Sequence, residues 1–279
     1  MAAAARVPRV SGAFRVPGDK SISHRALMLG ALATGESRIR GVLRSADVHS
    51  TAAVLRALGV SIPDFDADVV TITGVGRAGL RASAARLECG NSGTTARLMA
   101  GILAASPFTS TLTGDASLSR RPMRRVAAPL TAMGATLETS AQGGLPMTIR
   151  GGALQGITWH SEHASAQVKS AILLAGLVAD VPVEVHERAA TRDHTERMLR
   201  ARGIDVRSEG TSVARQLRET GGHEHRGRGA HGEHGKQDKG QDCSAHDSST
   251  VFRMACAALR LAPAPPSFAR TPEIGRAHV

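Results

Sequence analysis

Arg25, Arg97 and Lys169 are equally spaced along the chain, each in the opening turns of a similar apolar helical pattern. The blocks around them read Lys20-Ser21-Ile22-Ser23-His24-Arg25, Asn91-Ser92-Gly93-Thr94-Thr95-Ala96-Arg97 and Ser165-Ala166-Gln167-Val168-Lys169. A triplicated unit constrains the fold more than composition does, because small repeated units bury a core by packing on one another. Each block is a short polar run entering a helix that carries a cation. A helix N-terminus presents unpaired N–H groups and partial positive charge, which suits phosphate or carboxylate. Three such ends predict a site for a small molecule bearing several negative charges.

The segments between them repeat too. Residues 47–60 (DVHSTAAVLRALGV), 122–135 (PMRRVAAPLTAMGA) and 193–204 (DHTERMLRARGI) read as second helices ending near Gly59, Gly134 and Gly203. Glycine there fits the left-handed conformation that closes a helix, which other residues enter at a steric cost. Asp47 and Asp193 are the expected N-caps, and Pro122 suits a first helical turn. Strand-like runs lie between the helices at 37–42, 110–113 and 181–185. Others follow the second helix at 60–62 and 69–72, and again at 135–138 and 147–150. The unit is therefore β-α-β-α-β-β, with copies at about 16–75, 85–150 and 156–213. This predicts an α/β fold, a closed pseudo-three-fold domain with helices inside. Past Val213 the pattern stops, so the third copy is expected to lack its last strand. Residues 214–250 are rich in Gly, His and charge without apolar periodicity. The whole of 214–279 is expected to be a disordered, frame-shifted or artefactual tail.

The formal net charge of +11 suits nucleic acid, acidic lipid or anionic metabolites, although the Arg-for-Lys usage of a high-GC genome explains it equally well. With no Tyr, one Trp and five Phe, the chain lacks a stacking platform for single strands, and no Lys/Arg stripe suits a duplex. Nucleic acid is not an expected partner. Cys89, Cys243 and Cys256 form no disulfide framework, which suits a reducing compartment. No apolar run reaches the roughly 18 residues that span a bilayer, and residues 1–10 lack the apolar core of a signal peptide. The expectation is a cytoplasmic monomer without membrane contact.

Val16-Pro17-Gly18-Asp19-Lys20-Ser21 has the Lys-Ser ending of a P-loop, but Asp19 separates Gly18 from Lys20 and Ala13 takes the place of the first glycine. Lys20 and Ser21 remain candidates for another phosphate geometry, against an ordinary polar helix start. Gly90-Asn91-Ser92-Gly93-Thr94-Thr95 is more specific, since glycines ahead of a helix let a ligand approach backbone N–H groups; a tight structural turn competes. Arg120 and Arg121 adjoin a helix start. One can fork onto phosphate or carboxylate, worth roughly 1.5–3 kcal/mol, and the other can be a solvated charge. Ser165 and Gln167 offer a hydroxyl and an amide at the third start. His24, His186 and His194 lack metal-like spacing and read as structural. The tail residues His223, His225, His231, His234, Cys243 and His246 mimic a metal tract but have no framework for fixed geometry, so no metal is expected.

Four motifs in order carry a resemblance to a known family: Pro17-Gly18-Asp19-Lys20-Ser21-Ile22-Ser23-His24-Arg25, Gly90-Asn91-Ser92-Gly93-Thr94, the run from Gly114-Asp115 to Arg121-Pro122-Met123, and Ser165-Ala166-Gln167. They resemble the 5-enolpyruvylshikimate-3-phosphate synthases, the 3-phosphoshikimate 1-carboxyvinyltransferases. Thr191-Arg192-Asp193-His194-Thr195-Glu196-Arg197-Met198-Leu199 resembles the bacterial form. The resemblance covers about residues 10–213. It implies the enolpyruvyl transferase fold, an inverse α/β barrel of three repeats. It also implies transfer of the enolpyruvyl group of phosphoenolpyruvate to the 5-hydroxyl of shikimate 3-phosphate, releasing phosphate, with no metal or organic cofactor.

By the same resemblance Lys20 touches both substrates and is the catalytic residue of this lobe. Ser21 and Arg25 meet shikimate 3-phosphate, as do Ser165, Ala166 and Gln167; Gly93 and Arg121 meet phosphoenolpyruvate, with Gln167 nearby. Ala166 fills a position that is Ser in some relatives. Family members carry a second lobe of three similar units, which supplies proton-handling acids and further cations. The stretch after Val213 is shorter than one repeat and does not resemble that lobe, so the second lobe is expected to be missing and this chain inactive or nearly so. The nearest alternative is the sister transferase acting on UDP-N-acetylglucosamine. Lys20-Ser21 followed by Ser23-His24-Arg25, rather than a Lys-Asn start, favours shikimate 3-phosphate. A non-catalytic anion-binding fragment is the alternative from another class.

Overall fold

Helices that are apolar on every face must be surrounded, and three of them form the centre of this molecule. The computed structural model describes residues 16–216. The first unit forms α1 (Lys20–Leu32), β1 (Thr34–Arg40), α2 (Ala46–Ala57) and β2 (Val69–Val75). The second runs β3 (Leu87–Glu88), α3 (Gly93–Ala104), β4 (Thr109–Thr113), the short α4 (Ala116–Ser119), α5 (Arg124–Ala132), β5 (Thr136–Thr139) and β6 (Met147–Arg150). The third is β7 (Ile157–His160), α6 (Ala166–Ala179), β8 (Val183–His186), α7 (His194–Arg200), β9 (Val206–Glu209) and β10 (Ser212–Arg215).

Two four-stranded sheets share one topology, β3-β4-β6-β5 and β7-β8-β10-β9. In each, the first two strands are parallel and the rest antiparallel. Parallel neighbours cannot be joined by a tight turn, so a helix crosses between them, α3 in one unit and α6 in the other. β1 pairs with β2 antiparallel from Thr34↔Val75 to Arg40↔Val69, as β4 pairs with β6 and β8 with β10. The strand expected at 60–62 is reduced to a lone bridge, Ser61↔Thr73. Pro63 has no N–H to extend it, and the Arg56 guanidinium takes the carbonyls of Ile62 and Pro63, each at 2.7 Å.

The core is built around α1, α3 and α6, of which residues 23–32, nearly all of α3 and residues 168–177 are buried. The helices-inside expectation holds. Close contact between α3 and α6 depends on Gly101, where a Cβ would lie 2.2 Å from the Ala171 carbonyl oxygen. After α2, α5 and α7 the chain turns at Gly59, Gly134 and Gly203 with φ of +92°, +112° and +75°, the left-handed closures the sequence predicts.

The caps differ from expectation. Ser45 precedes α2, and Asp47 lies in the first turn, drawn to Lys20 instead. Asp193 holds the cap position of α7 without a side-chain hydrogen bond to the helix. Pro122 stays outside α5, which begins at Arg124, and its carbonyl accepts from Arg97. The third unit also has its last strand: β10 pairs with both β8 and β9 through Arg215, past the expected end at Val213. Arg215 disguised it. Its side chain is 3% exposed, with the guanidinium 2.8 Å from Asp180 and 2.7 Å from the Val181 carbonyl. An inward charge with a buried stem breaks the apolar alternation that marks a strand. The expected disordered tail beyond residue 216, with its His/Cys tract, lies outside the described residues.

Candidate anion site at three helix N-termini

Each central helix opens with a side-chain cap. Asp19 accepts from the Ile22 N–H at 2.8 Å, Ser92 from the Thr95 N–H at 3.1 Å and Ser165 from the Val168 N–H at 3.4 Å. A cap takes one of the four open N–H groups and leaves the others for a ligand. Side chains tie the three starts to one another. Arg25 of α1 donates to Ser170 of α6 at 2.6 Å and to Thr195 of α7 at 2.6 Å. Arg97 of α3 donates to Gln167 Oε1 of α6 at 2.9 Å, and Gln167 Nε2 returns to Thr94 of α3 at 3.0 Å. Thr51 of α2 joins His24 of α1 to Thr95 of α3, at 2.7 Å on either side. The opening turns of α1, α3 and α6 thus meet at one end of the core.

The residues named from the sequence as substrate ligands all fall in or beside this cluster. Lys20 is exposed at the mouth, its ammonium 2.8 Å from Asp47. Ser21 Oγ accepts from Arg25 at 2.7 Å and lies 2.9 Å from His194 Nδ1. Arg25 itself is turned into the protein, and Ser21 is its link to the mouth. Gly93 opens α3, where a Cβ would lie 2.7 Å from the Arg97 guanidinium and 3.4 Å from that of Arg121. Its missing side chain leaves room for two cationic heads beside an open helix end. Arg121 is half-buried and donates to Asn91 Oδ1 at 2.6 Å, while Arg120 is exposed, so Arg121 is the inward member of the pair. Ser165, Ala166 and Gln167 stand half-buried at the start of α6.

The three repeated cations part company in charge. Burial pushes the Arg25 guanidinium down to about 10, with Glu196 pulling the other way. Arg97 is pushed down by burial first and then by Arg121 and Arg125, and no carboxylate lies within ion-pair distance of it among the described residues. Lys169 leaves the mouth altogether. Its ammonium sits 2.7 Å from Glu187 and 2.8 Å from Glu196 in the interior. The expectation that each start offers a cation to a ligand fails there, because two buried carboxylates hold it.

Residues not named from the sequence as ligands complete the cluster. Asp47 faces Lys20, and Thr94 orients Gln167. Asn91 passes a hydrogen bond from Arg121 to Asp115, 2.6 Å away; that bond, with the Leu118 N–H, holds the Asp115 carboxyl below its ordinary value. His194, read as structural, stands at Ser21. Among the described residues no group of three or more His, Cys, Asp or Glu could hold a metal ion, and no helix is long and apolar enough to cross a membrane. Chemically, the cluster offers the guanidinium groups of Arg97 and Arg121 on the α3 side, with no carboxylate at ion-pair distance among the described residues. The Asp47-paired ammonium of Lys20 stands at the start of α1. Hydroxyls and an amide line the α1 and α6 sides.

A family model described as EPSP synthase (3-phosphoshikimate 1-carboxyvinyltransferase) matches residues 5–231 of the chain. The chain belongs to this family. A 3-phosphoshikimate 1-carboxyvinyltransferase of Alkalilimnicola ehrlichii is 59% identical over 203 residues, which are 72% of this chain and 46% of that protein. One from Halorhodospira halophila is 58% identical over 196 residues, 70% of this chain and 44% of its own length. Among solved structures, EPSP synthase of Acinetobacter baumannii superposes with a TM-score of 0.71 at 51% identity, covering 73% of this chain and 46% of that one. The repeated α/β arrangement with helices inside is therefore the enolpyruvyl transferase fold of the family, as the resemblance implies. The chain spans under half the length of the curated relatives it matches.

Proposed function

We propose that the three helix starts form the half of an enolpyruvyl transferase site that binds shikimate 3-phosphate and phosphoenolpyruvate. The observation that carries this reading is the division of the cluster. Lys20, Arg121 and the space over Gly93 suit the small, highly charged phosphoenolpyruvate, with Arg97 and Asn91 holding the corner in shape. Ser21, Ser165, Ala166 and Gln167 suit the hydroxylated ring and phosphate of shikimate 3-phosphate, with Arg25 acting through Ser21. The names borne by the family model and the relatives favour this substrate over a UDP-amino sugar.

Both substrates are anions and repel each other. Cations and helix N-termini offset that repulsion and let the 5-hydroxyl approach C2 of phosphoenolpyruvate. The hydroxyl oxygen gives up its proton to a base and bonds to C2 as the methylene carbon gains a proton from an acid. A proton then leaves the new methyl group to a base as the C2–O bond to phosphate breaks and phosphate departs. Lys20, exposed between the two halves of the cluster, is the catalytic group of this lobe. Orientation between two lobes can be worth effective molarities of about 10⁵–10⁸ M, and these three helix starts supply one side of it. On this reading these three helix starts by themselves bind without turning over, and we take the chain to be a cytoplasmic monomer.

Calorimetry on the full chain tests this. The expected result is one-to-one binding of shikimate 3-phosphate with no phosphate release when phosphoenolpyruvate is added. Binding of UDP-N-acetylglucosamine in its place would overturn the substrate assignment. Turnover at an enzymatic rate would overturn the two-lobe division of labour.

A further inference from the structure

The loop joining β8 to α7, residues 187–193, is held at both ends by a single buried lysine. Lys169 Nζ lies 2.7 Å from Glu187, the first loop residue, and 2.8 Å from Glu196 in the first turn of α7; the three side chains are 3%, 2% and 1% exposed. Burial pulls the Lys169 pKa down, but the hydrogen bonds to Glu187 and Glu196 outweigh it and hold the ammonium above its ordinary value. The loop is braced internally as well. Thr191 Oγ1 donates to both Glu187 oxygens at 2.8 and 3.0 Å, and the Glu187 N–H donates to the Thr211 carbonyl at 2.9 Å. The first turn of α7, directly after the loop, reaches the site: His194 Nδ1 is 2.9 Å from Ser21 Oγ, and Thr195 accepts from Arg25. Arg192 on the loop is exposed and near enough to act on the Arg25 charge.

Lys169 is itself too deeply buried to touch a substrate. A buried charge trio is an expensive way to gain stability, because well-packed apolar side chains of similar volume often do as well or better. Its placement at the two ends of one loop gives it another use. We propose that Lys169 is a positioning residue: by bridging Glu187 and Glu196 it fixes the loop at 187–193 and sets Arg192 and His194 against Ser21 and Arg25. The substrate it serves, shikimate 3-phosphate, rests on the functional reading above; the clamp does not.

Two variants of the full chain, Lys169→Met and Glu196→Gln, separate positioning from simple stabilisation. Amide hydrogen exchange is followed without ligand, and the Kd for shikimate 3-phosphate is measured by calorimetry. In Glu196→Gln, exchange at residues 188–193 should accelerate about tenfold while α3 and β4 to β6 keep the parent rates. Lys169→Met, which also lowers global stability, is read by its Kd, which should rise about tenfold in both variants. Lys169→Met leaves two carboxylates facing each other and can fail to fold. Glu196→Gln keeps a one-to-one Lys169–Glu187 pair and then carries the test alone. Parental loop exchange in Glu196→Gln, or acceleration there spread evenly over the domain, overturns the proposal; so does a parental Kd in either folded variant. If the parent chain binds no shikimate 3-phosphate yet the loop alone loosens in Glu196→Gln, the clamp stands and the substrate reading falls.

Discussion

Arg97 and Lys169 occupy the same place in two successive copies of one unit and meet opposite surroundings. Around Arg97 there is no carboxylate within ion-pair distance among the described residues, and its electrostatic neighbours are Arg121 and Arg125. Around Lys169 there are two carboxylates, and all three groups are buried. One corner leaves its positive charge without a carboxylate partner among the described residues; the other neutralises it within the chain. Duplication repeats backbone and helix direction faithfully. The charges packed on each copy decide whether its cation stays open or is locked into the interior.

The largest expected effect breaks the closed corner. Lys169→Met should cost about 3–5 kcal/mol in urea unfolding, because it leaves buried carboxylates without a partner. A loss under about 1 kcal/mol would show that water already reaches them. Next comes pH. Burial holds His24, on the relay joining α1 to α2 and α3, down to about 4 from an ordinary 6.5. Its folded-state pKa is depressed, so its contribution is whole above pH 6.5 and is lost as pH falls towards 4, where the unfolded chain alone takes up the proton. That amounts to about 3 kcal/mol. His24→Gln should flatten the stability–pH curve between those limits, and an unchanged curve would contradict a buried neutral imidazole.

Gly101→Ala probes the seam between the two corners. With the Ala171 carbonyl 2.2 Å from the added carbon, the helices must part, at a cost of about 1–3 kcal/mol. The smallest stability change belongs to the open corner. Arg97→Gln loses hydrogen bonds to Gln167 and Pro122 but relieves repulsion from Arg121 and Arg125, so its unfolding free energy should move by less than about 1 kcal/mol. Its anion response should suffer instead. Sulfate should raise the melting temperature of the parent chain and do so less in Arg97→Gln; equal rises would take Arg97 out of the anion corner.

Much of this was legible because the signals are local. Small polar residues before an apolar run locate α1, α3 and α6, and glycine marks the closures after α2, α5 and α7. β6 falls at 147–150 as its pattern predicts. What escaped depends on contacts distant in sequence. Lys169 looks like a ligand cation until Glu187 and Glu196, both on the far side of β8, fold back onto it. Two misfits were visible, a lysine in a helix with no other charged residue and a glutamate one residue before Arg197 in the short α7, but only the fold pairs them. Likewise Arg215 reads as tail until Asp180, at the left-handed end of α6, receives it. His194 reads as structural because its spacing suggests no metal, yet α7 aims it at Ser21.

The central claim is that the starts of α1, α3 and α6 form one anion site divided between two ligands. Titrating isotope-labelled chain with shikimate 3-phosphate, then with phosphoenolpyruvate, and following backbone amides by NMR tests it most directly. The account predicts that the amides of Ser21 and Gln167 shift along a single saturating isotherm with the first ligand, and that Gly93 shifts when the second is added. Shifts confined to one helix start, or absent from all three, would contradict it.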